Sequence, residues 1–267
     1  MPTEPVAQTA RAYWDAVGRE WAATHPDELW RRCSDALHVQ WLDRVAGTLP
    51  PGLVLKTDLF DEAFGDGLTA WFASRGHDVL ACDLAFATAR GAARKPASVA
   101  AAVADVRQLP FSATAFDTVF SDSTLDHFDS EAGIRQSLRE LHRVLRPGGT
   151  LLLTMDNPVN PIVRLRNLWP GLWIRLGVLP YAVGATCSRQ RLTRLLEETG
   201  FSVSAAGTIM HLPRVLMVPW CRWLARRGAT QPGTRLRGWL RRGEALGRLP
   251  TREFTGHFVA TVARKRS

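Results

Sequence analysis

The chain has 267 residues, 46% of them hydrophobic, and a formal net charge of +9, enough for one large domain with a sizeable core. No apolar run approaches the roughly 18 residues of a membrane span, and the start lacks the basic-then-apolar pattern of a secretion signal. The four cysteines, Cys33, Cys82, Cys187 and Cys221, are too dispersed for a zinc site or a disulfide framework, which predicts a reducing cytoplasm and no bound metal. Most of the positive charge is arginine, concentrated after Arg139. An anionic substrate, a membrane surface, nucleic acid and a plain solvated face all fit that excess.

From about Thr9 to Ala46, Tyr13, Trp14, Val17 and Trp21, then Leu29, Trp30, Leu37, Trp41 and Leu42, recur near helical spacing. His25-Pro26-Asp27 is the expected turn between two helices, with Asp27 as N-cap. Leu49-Pro50-Pro51-Gly52 breaks the pattern. Leu53, Val54, Leu55, Leu59 and Phe60 form an apolar run of strand length, interrupted at Gly65 and Gly67, and a helix starts at Leu68. Asp78–Cys82 reads as the second strand and ends at Asp83. A helix over about Phe86–Arg94 follows, then a third strand over Ser98–Ala104 that ends at Asp105. The fourth strand spans Ala115–Phe120. Ile134, Leu138, Leu141 and Leu145 share one face of a helix that Arg146-Pro147-Gly148-Gly149 stops, and Thr150–Met155 is the fifth strand. This alternation predicts right-handed βαβ units and a parallel sheet. Residues 157–184 break the rhythm as an insertion rich in Pro, Trp and Arg. A helix over Ser188–Glu198, a strand over Phe201–Ala205, a second insertion with helical pieces over 211–249 and a last strand over Thr255–Ala263 complete the chain.

Gly65-Asp66-Gly67-Leu68-Thr69-Ala70 fits the G-x-G-x-x-(G/A) dinucleotide pattern, with Asp83 at the distance expected of an acid gripping a ribose diol. That makes a nicotinamide enzyme a rival reading. Against it, Asp58, Asp61, Glu62 and Asp66 crowd the turn and would repel a pyrophosphate, whereas a sulfonium or α-ammonium group suits them.

Taken together, the motifs resemble the class I S-adenosylmethionine-dependent methyltransferases over about Tyr13–Asp156 and again from Ser188 to Phe201. Asp61–Gly67 (DEAFGDG) lies where that family has D-x-G-x-G-x-G, with Ala63 in place of the first glycine. Asp83 matches the ribose acid. Ala104-Asp105-Val106 with Leu109-Pro110-Phe111 matches the segment that faces adenine. Phe116–Val119 with Ser121–Phe128, and Leu141–Leu153, match the fourth-strand and fifth-strand motifs. The resemblance implies an α/β fold: a doubly wound, seven-stranded Rossmann-like methyltransferase sheet of order 3-2-1-4-5-7-6, with the last strand antiparallel. Residues 1–50 would be a helical segment covering the cofactor, and 51–267 the catalytic domain with the two insertions as a cap. The implied cofactor is S-adenosyl-L-methionine, held by Asp61, Ala63, Gly65, Gly67, Asp83, Leu84, Asp105, Val106 and Ser121, with Tyr13 and Trp21 above it.

Methyl transfer is an in-line displacement, so the protein mainly aligns the groups and excludes water. A phenol or carboxylate acceptor needs little more, whereas an alcohol or carbon acceptor needs a base. His127 is the best-placed base, and His211 and Tyr181, in the insertions, could face the acceptor. Trp and Arg in both insertions suit a small or lipid-like, acidic acceptor or peripheral contact with a membrane. No nucleic acid is expected. The rival on the same fold binds the cofactor without transferring methyl.

Overall fold

The computed structural model describes residues 4–24, 27–95, 99–175, 181 and 183–266. The expected turn at His25-Pro26, the start of the third strand at Ser98, and Val178 and Leu179 lie outside the described residues. Two helices come first, α1 (Glu4–Thr24) and α2 (Glu28–Val45). Strand β1 (Leu53–Lys56), the short helices α3 (Phe60–Phe64) and α4 (Thr69–Ala73), β2 (Asp78–Asp83), α5 (Phe86–Ala93), β3 (Ala100–Val103) and β4 (Phe116–Asp122) follow. Next are α6 (Glu131–Val144), β5 (Leu145–Asp156), α7 (Pro161–Leu168), α8 (Pro170–Arg175), α9 (Arg189–Glu198) and β6 (Phe201–Ile209). The chain closes with α10 (Arg214–Arg226), α11 (Thr234–Glu244), α12 (Arg252–Thr255) and β7 (Phe258–Lys265).

The seven strands form one sheet in the order β3-β2-β1-β4-β5-β7-β6, with β7 antiparallel to both neighbours, as the resemblance implied. Because successive side chains of a strand point to opposite faces, Leu151 and Leu153 enter one core while Leu152 enters the other. The first core packs Ile134, Leu138 and Leu141 of α6 and Leu192, Leu195 and Leu196 of α9 under the sheet. The second packs Trp30, Leu37 and Trp41 of α2 with Met217 and Cys221 of α10 and Leu236 and Leu240 of α11. The second insertion is therefore mainly a packing layer rather than a free cap.

Four local readings are corrected. Leu59 and Phe60 are not in a strand: β1 stops at Lys56 and α3 begins at Phe60. Asp27 precedes α2 in the left-handed region (φ 61°) and makes no side-chain cap bond; its carboxylate instead pairs with Arg222. Pro147-Gly148-Gly149 does not interrupt β5, because a register shift between Phe116 and Thr118 on β4 absorbs it, with Gly148 at φ 74°. Residues 161–175 are helical. The signal for α7 was Asn160-Pro161: the Asn160 side chain accepts from the Ile162 and Val163 amides at 2.9 and 3.4 Å, and proline occupies the first turn.

Candidate active site

A cleft opens beyond the carboxyl ends of β1, β2, β3 and β4, where the strand order reverses between β1 and β4. Open α/β sheets bind ligands at that point. Its floor is built by Thr57 and Asp58 after β1, Asp83 and Leu84, Asp105 and Val106, and Asp122–Thr124. Ala10 and Trp14 of α1 and Trp30, Arg31, Ser34 and His38 of α2 form one wall.

At the β2–β3 end, Asp83 accepts the Leu59 amide at 3.0 Å and the Ala85 amide at 2.8 Å. These bonds fix the carboxylate at the strand tip and leave lone pairs for a ligand. Burial raises its pKa to about 6, against the opposing pull of the two amides. Asp105 holds Arg107 through Nε at 3.0 and 3.1 Å and Nη2 at 2.6 Å, and the guanidinium lies over the Phe128 ring at 4.8 Å. Acids at the tips of adjacent strands, beside Leu84 and Val106, suit a nucleoside.

The loop after β1 is built differently. The side chain of Lys56, 0% exposed, donates to Asp58 Oδ1 at 2.8 Å and lies 2.9 Å from Glu62 Oε2. Glu62 Oε1 accepts the Leu68 and Thr69 amides at 2.8 and 3.0 Å. Asp35 of α2 accepts the Asp66 and Gly67 amides at 2.9 and 3.1 Å. The amides of the glycine turn are thus spent on the protein's own carboxylates.

The third region joins α2 to the ends of β4 and β7. His38 Nε2 lies 3.2 Å from Asp122 Oδ1, and Thr154 Oγ1 donates to the same carboxylate. Burial pulls the His38 pKa down, but Asp122 outweighs it and the net value is about 9, so the ring is an imidazolium. Asp122 falls to about 2: burial raises it, and His38 and Lys56 lower it further. Arg214 reaches the cleft from the first residue of α10, with Nη1 3.2 Å from His257 Nε2 and its guanidinium between Trp30 at 5.7 Å and Phe258 at 5.9 Å. Burial, opposed by a hydrogen bond to the Asp156 carboxylate and reinforced by Arg214, holds His257 down at about 4, so that ring is neutral. Asp156 pairs with Arg166 of α7 and contacts His257. Arg214 itself forms no salt bridge among the described residues. His127 packs edge-on against Trp14 at 4.5 Å and Tyr181 at 5.5 Å between ring centroids.

Residues 62–153 match the family described as a methyltransferase domain. Over that stretch the chain is similar to the class I S-adenosylmethionine-dependent methyltransferases, the family its motifs resemble. It is 30% identical over 158 residues to a malonyl-[acyl-carrier protein] O-methyltransferase of Enterobacter lignolyticus, a match covering 58% of this chain and 57% of that one. It is 32% identical over 104 residues to the protein of the same name from Hamiltonella defensa, covering 39% of each. The chain thus spans less than two thirds of the length of these relatives. Among solved structures, a 1,6-didemethyltoxoflavin-N1-methyltransferase of Burkholderia thailandensis, bound to its acceptor and S-adenosylhomocysteine, aligns with TM-score 0.54 at 17% identity over 96% of this chain and 91% of that one. A [4+2]-cyclase aligns with TM-score 0.55 at 16% identity over 87% of this chain and 80% of that one. At such identity these structures share the fold.

The cofactor of that family is S-adenosylmethionine, and the cleft has the residue types to hold it. Asp83 suits the ribose diol, and Asp105, Leu84 and Val106 suit the adenine; Asp58 and Asp122 line the same cleft, each already paired with a cation, Lys56 and His38. Asp58 Oδ2 is buried with no hydrogen-bond partner among the described residues.

The cleft gathers Asp61, Asp83, Leu84, Asp105, Val106, His127 and Tyr181 from the residues expected to build it. The other expected residues lie outside its lining. Gly65 and Gly67 sit behind α3, their turn tied down by Asp35, and Ala63 packs against Gly91 of α5. Ser121 is buried and accepts from Thr57 Oγ1 at 3.0 Å. Trp21 packs edge-on against Phe60 at 5.0 Å, and of the α1 rings it is Trp14, the neighbour of Tyr13, that lines the cleft. His211 is structural: its ring meets Thr255 Oγ1 at 2.8 Å and the Thr208 carbonyl at 3.2 Å. Among the described residues of the two insertions, Tyr181 and Arg214 alone line the cleft. Arg31, Ser34 and His38 escaped sequence reading. Their one signal was spacing: 31, 34 and 38 fall on one helical face, a polar stripe beside the apolar one.

Proposed function

We propose that this protein methylates an oxygen of a small or lipid-like acceptor that carries an acidic group, using S-adenosylmethionine. The observation that carries the reading is Arg214, a guanidinium in the cleft near two aromatic rings and, among the described residues, without a carboxylate partner. An arginine in that setting suits a planar anion, which it can bind through two parallel hydrogen bonds. Trp30, Phe258 and Tyr181 offer apolar surface to a chain or ring beside it. The malonyl-thioester relatives support a carboxyl-bearing acyl acceptor.

S-adenosylmethionine supplies an activated methyl carbon; the chain's own residues supply alignment and a dry, charged setting. Arg214 would orient the acceptor carboxylate, and the neutral His257 beside it would leave that charge undiluted. A carboxylate needs no base. For a hydroxyl acceptor, His127 is the group placed to take a proton, since its Nδ1 is buried without a partner. The test is incubation of the protein with methyl-labelled S-adenosylmethionine and a series of acyl thioesters ending in a free carboxyl or in a methyl group. Label in an alkali-labile methyl ester, formed only from the carboxyl series, is the expected result. Arg214→Ala should raise the acceptor KM about tenfold or more and leave S-adenosylhomocysteine affinity nearly unchanged. No labile product, or equal loss of both affinities, would count against it.

A further inference from the structure

Charge is divided unevenly along this chain. Residues 1–156 hold 21 acidic and 15 basic residues, whereas residues 157–267 hold 4 acidic and 19 basic ones. Residues 157–196 and 199–243, which carry α7, α8 and α10, contain no Asp or Glu. Arg166 and Arg222 find acids elsewhere in the fold, Asp156 and Asp27. Arg164, Arg226 and Arg227 are exposed and form no salt bridge among the described residues.

The same helices leave large apolar side chains outside. On α10 the inner face, with Met217 and Cys221, enters the core. Its outer face carries Val215, Leu216, Pro219 and Trp223 at helical spacing, with Leu216 66% exposed. Arg226 and Arg227 continue that face, and the Arg227 guanidinium lies 3.8 Å from the Trp223 ring centroid. On α7 and α8, Leu165, Leu168, Trp169 and Leu172 are exposed at the same spacing. The two elements meet at the cleft. Arg166 of α7 pairs with Asp156, which lies 3.3 Å from His257, and Arg214, the first residue of α10, lies 3.2 Å from the same ring while lining the cleft.

Single exposed apolar residues need no account, but a group of them beside unpaired arginines does. An outward face of Leu, Trp and Arg without acids is the pattern of a helix that lies in the headgroup region of an anionic bilayer. Its apolar side chains enter the acyl boundary while its guanidinium groups meet lipid phosphate. A two-fold contact with a second copy would set arginine against arginine. An acidic protein surface would answer the arginines alone, whereas an anionic bilayer answers the charge and the apolar side chains together.

We propose that the outer faces of α7, α8 and α10 dock this protein on an anionic lipid surface, with the Arg214 end of the cleft beside the bilayer. The test is co-sedimentation of the whole protein with vesicles of phosphatidylcholine alone and of phosphatidylcholine with about one third phosphatidylglycerol. Neither cofactor nor acceptor is added, so docking is read apart from the proposed acceptor. Wild-type protein should partition onto the anionic vesicles about tenfold or more better than onto the neutral ones, and added salt should release it. Each basic side chain at such a surface is worth about fivefold in partition. Arg226→Gln with Arg227→Gln should therefore weaken partition about tenfold or more. Leu216→Asp sets a charge at the acyl boundary and should weaken it by about as much. These side chains are exposed and do not line the cleft, so both variants should keep the circular dichroism of the wild type; if Leu216→Asp does not fold, the arginine variant carries the comparison. Equal partition onto neutral and anionic vesicles, no partition onto either, or partition unchanged in both variants overturns the proposal. A wild-type dimer in sedimentation velocity that Leu216→Asp dissociates also overturns it, by making this face a contact between copies.

Discussion

The two ends of the cleft solve the same problem by different means. At the β2–β3 end, acids stand at strand tips and are fixed by neighbouring amides, as Asp83 is by Leu59 and Ala85. Strand tips are set by the sheet, so such positions follow from strand boundaries alone. At the β1 end, a buried lysine, two carboxylates and a helical turn replace a plain loop, and the groups that face the ligand come from α2. A site made of strand tips tolerates change in its surroundings. A site made of interlocking buried charges does not, because each charge is compensated by another.

Lys56→Met is the sharpest way to break that contrast. It keeps the length of the side chain and removes the cation that compensates Asp58 and Glu62. Breaking a buried ion pair by removing one partner costs about 3–5 kcal/mol, so urea unfolding should show a loss of that size. A loss under about 1 kcal/mol would mean the cluster is not the keystone of its end. Next in size, Asp83→Ala should leave the fold intact and weaken S-adenosylhomocysteine binding about ten- to a hundredfold, the loss of roughly 1.5–3 kcal/mol of charge-assisted hydrogen bonding. Unchanged affinity in calorimetry would remove Asp83 from the site.

The same acid gives a pH signature. Its folded pKa is raised to about 6, and only the ionised carboxylate can accept both ribose hydroxyls. Affinity should therefore hold above that value and fall below it, by roughly tenfold between pH 7 and pH 5; a flat profile over that range would exclude Asp83 as the titrating contact. The smallest effect on binding belongs to Gly65→Ala. A Cβ there would come within 2.6 Å of Asp35 Oδ2 and 3.1 Å of the Asp61 carbonyl, so the fold should lose about 1–3 kcal/mol. Nucleoside affinity of the folded protein should stay within about twofold, since the turn does not line the cleft. Abolished binding in a stable Gly65→Ala protein would return the turn to the ligand.

The contrast also explains what could be read in advance. Most strand boundaries were legible because apolar strands and amphipathic helices alternate with little ambiguity, the sheet order came from the family resemblance, and Asp83 and Asp105 were legible because each ends such a strand. The β1 loop was not. Phe60 continues an apolar run by composition, yet it opens a helix because Glu62 must turn back to Lys56 and to the Leu68 amide. Gly65 and Gly67 fit a ligand-binding pattern, yet the partner that claims their turn is Asp35, about thirty positions away in another helix. His38 and Asp122 are 84 positions apart, and nothing local marks either as half of an ion pair. The α10–α11 segment looked like a cap because it interrupts the rhythm, but Met217, Cys221, Leu236 and Leu240 bind it to α2.

Helix α2 has a role in this arrangement beyond shape. Arg31 lies toward the cofactor end of the cleft and Trp30 and His38 toward the Arg214 end, all on one rigid rod that is also the seat of α10. Any settling of that rod produced by one ligand is felt at the other site. Linkage then requires reciprocity: the factor by which an acceptor tightens S-adenosylhomocysteine equals the factor by which S-adenosylhomocysteine tightens the acceptor. A shared wall makes the two halves of the cleft a single thermodynamic system.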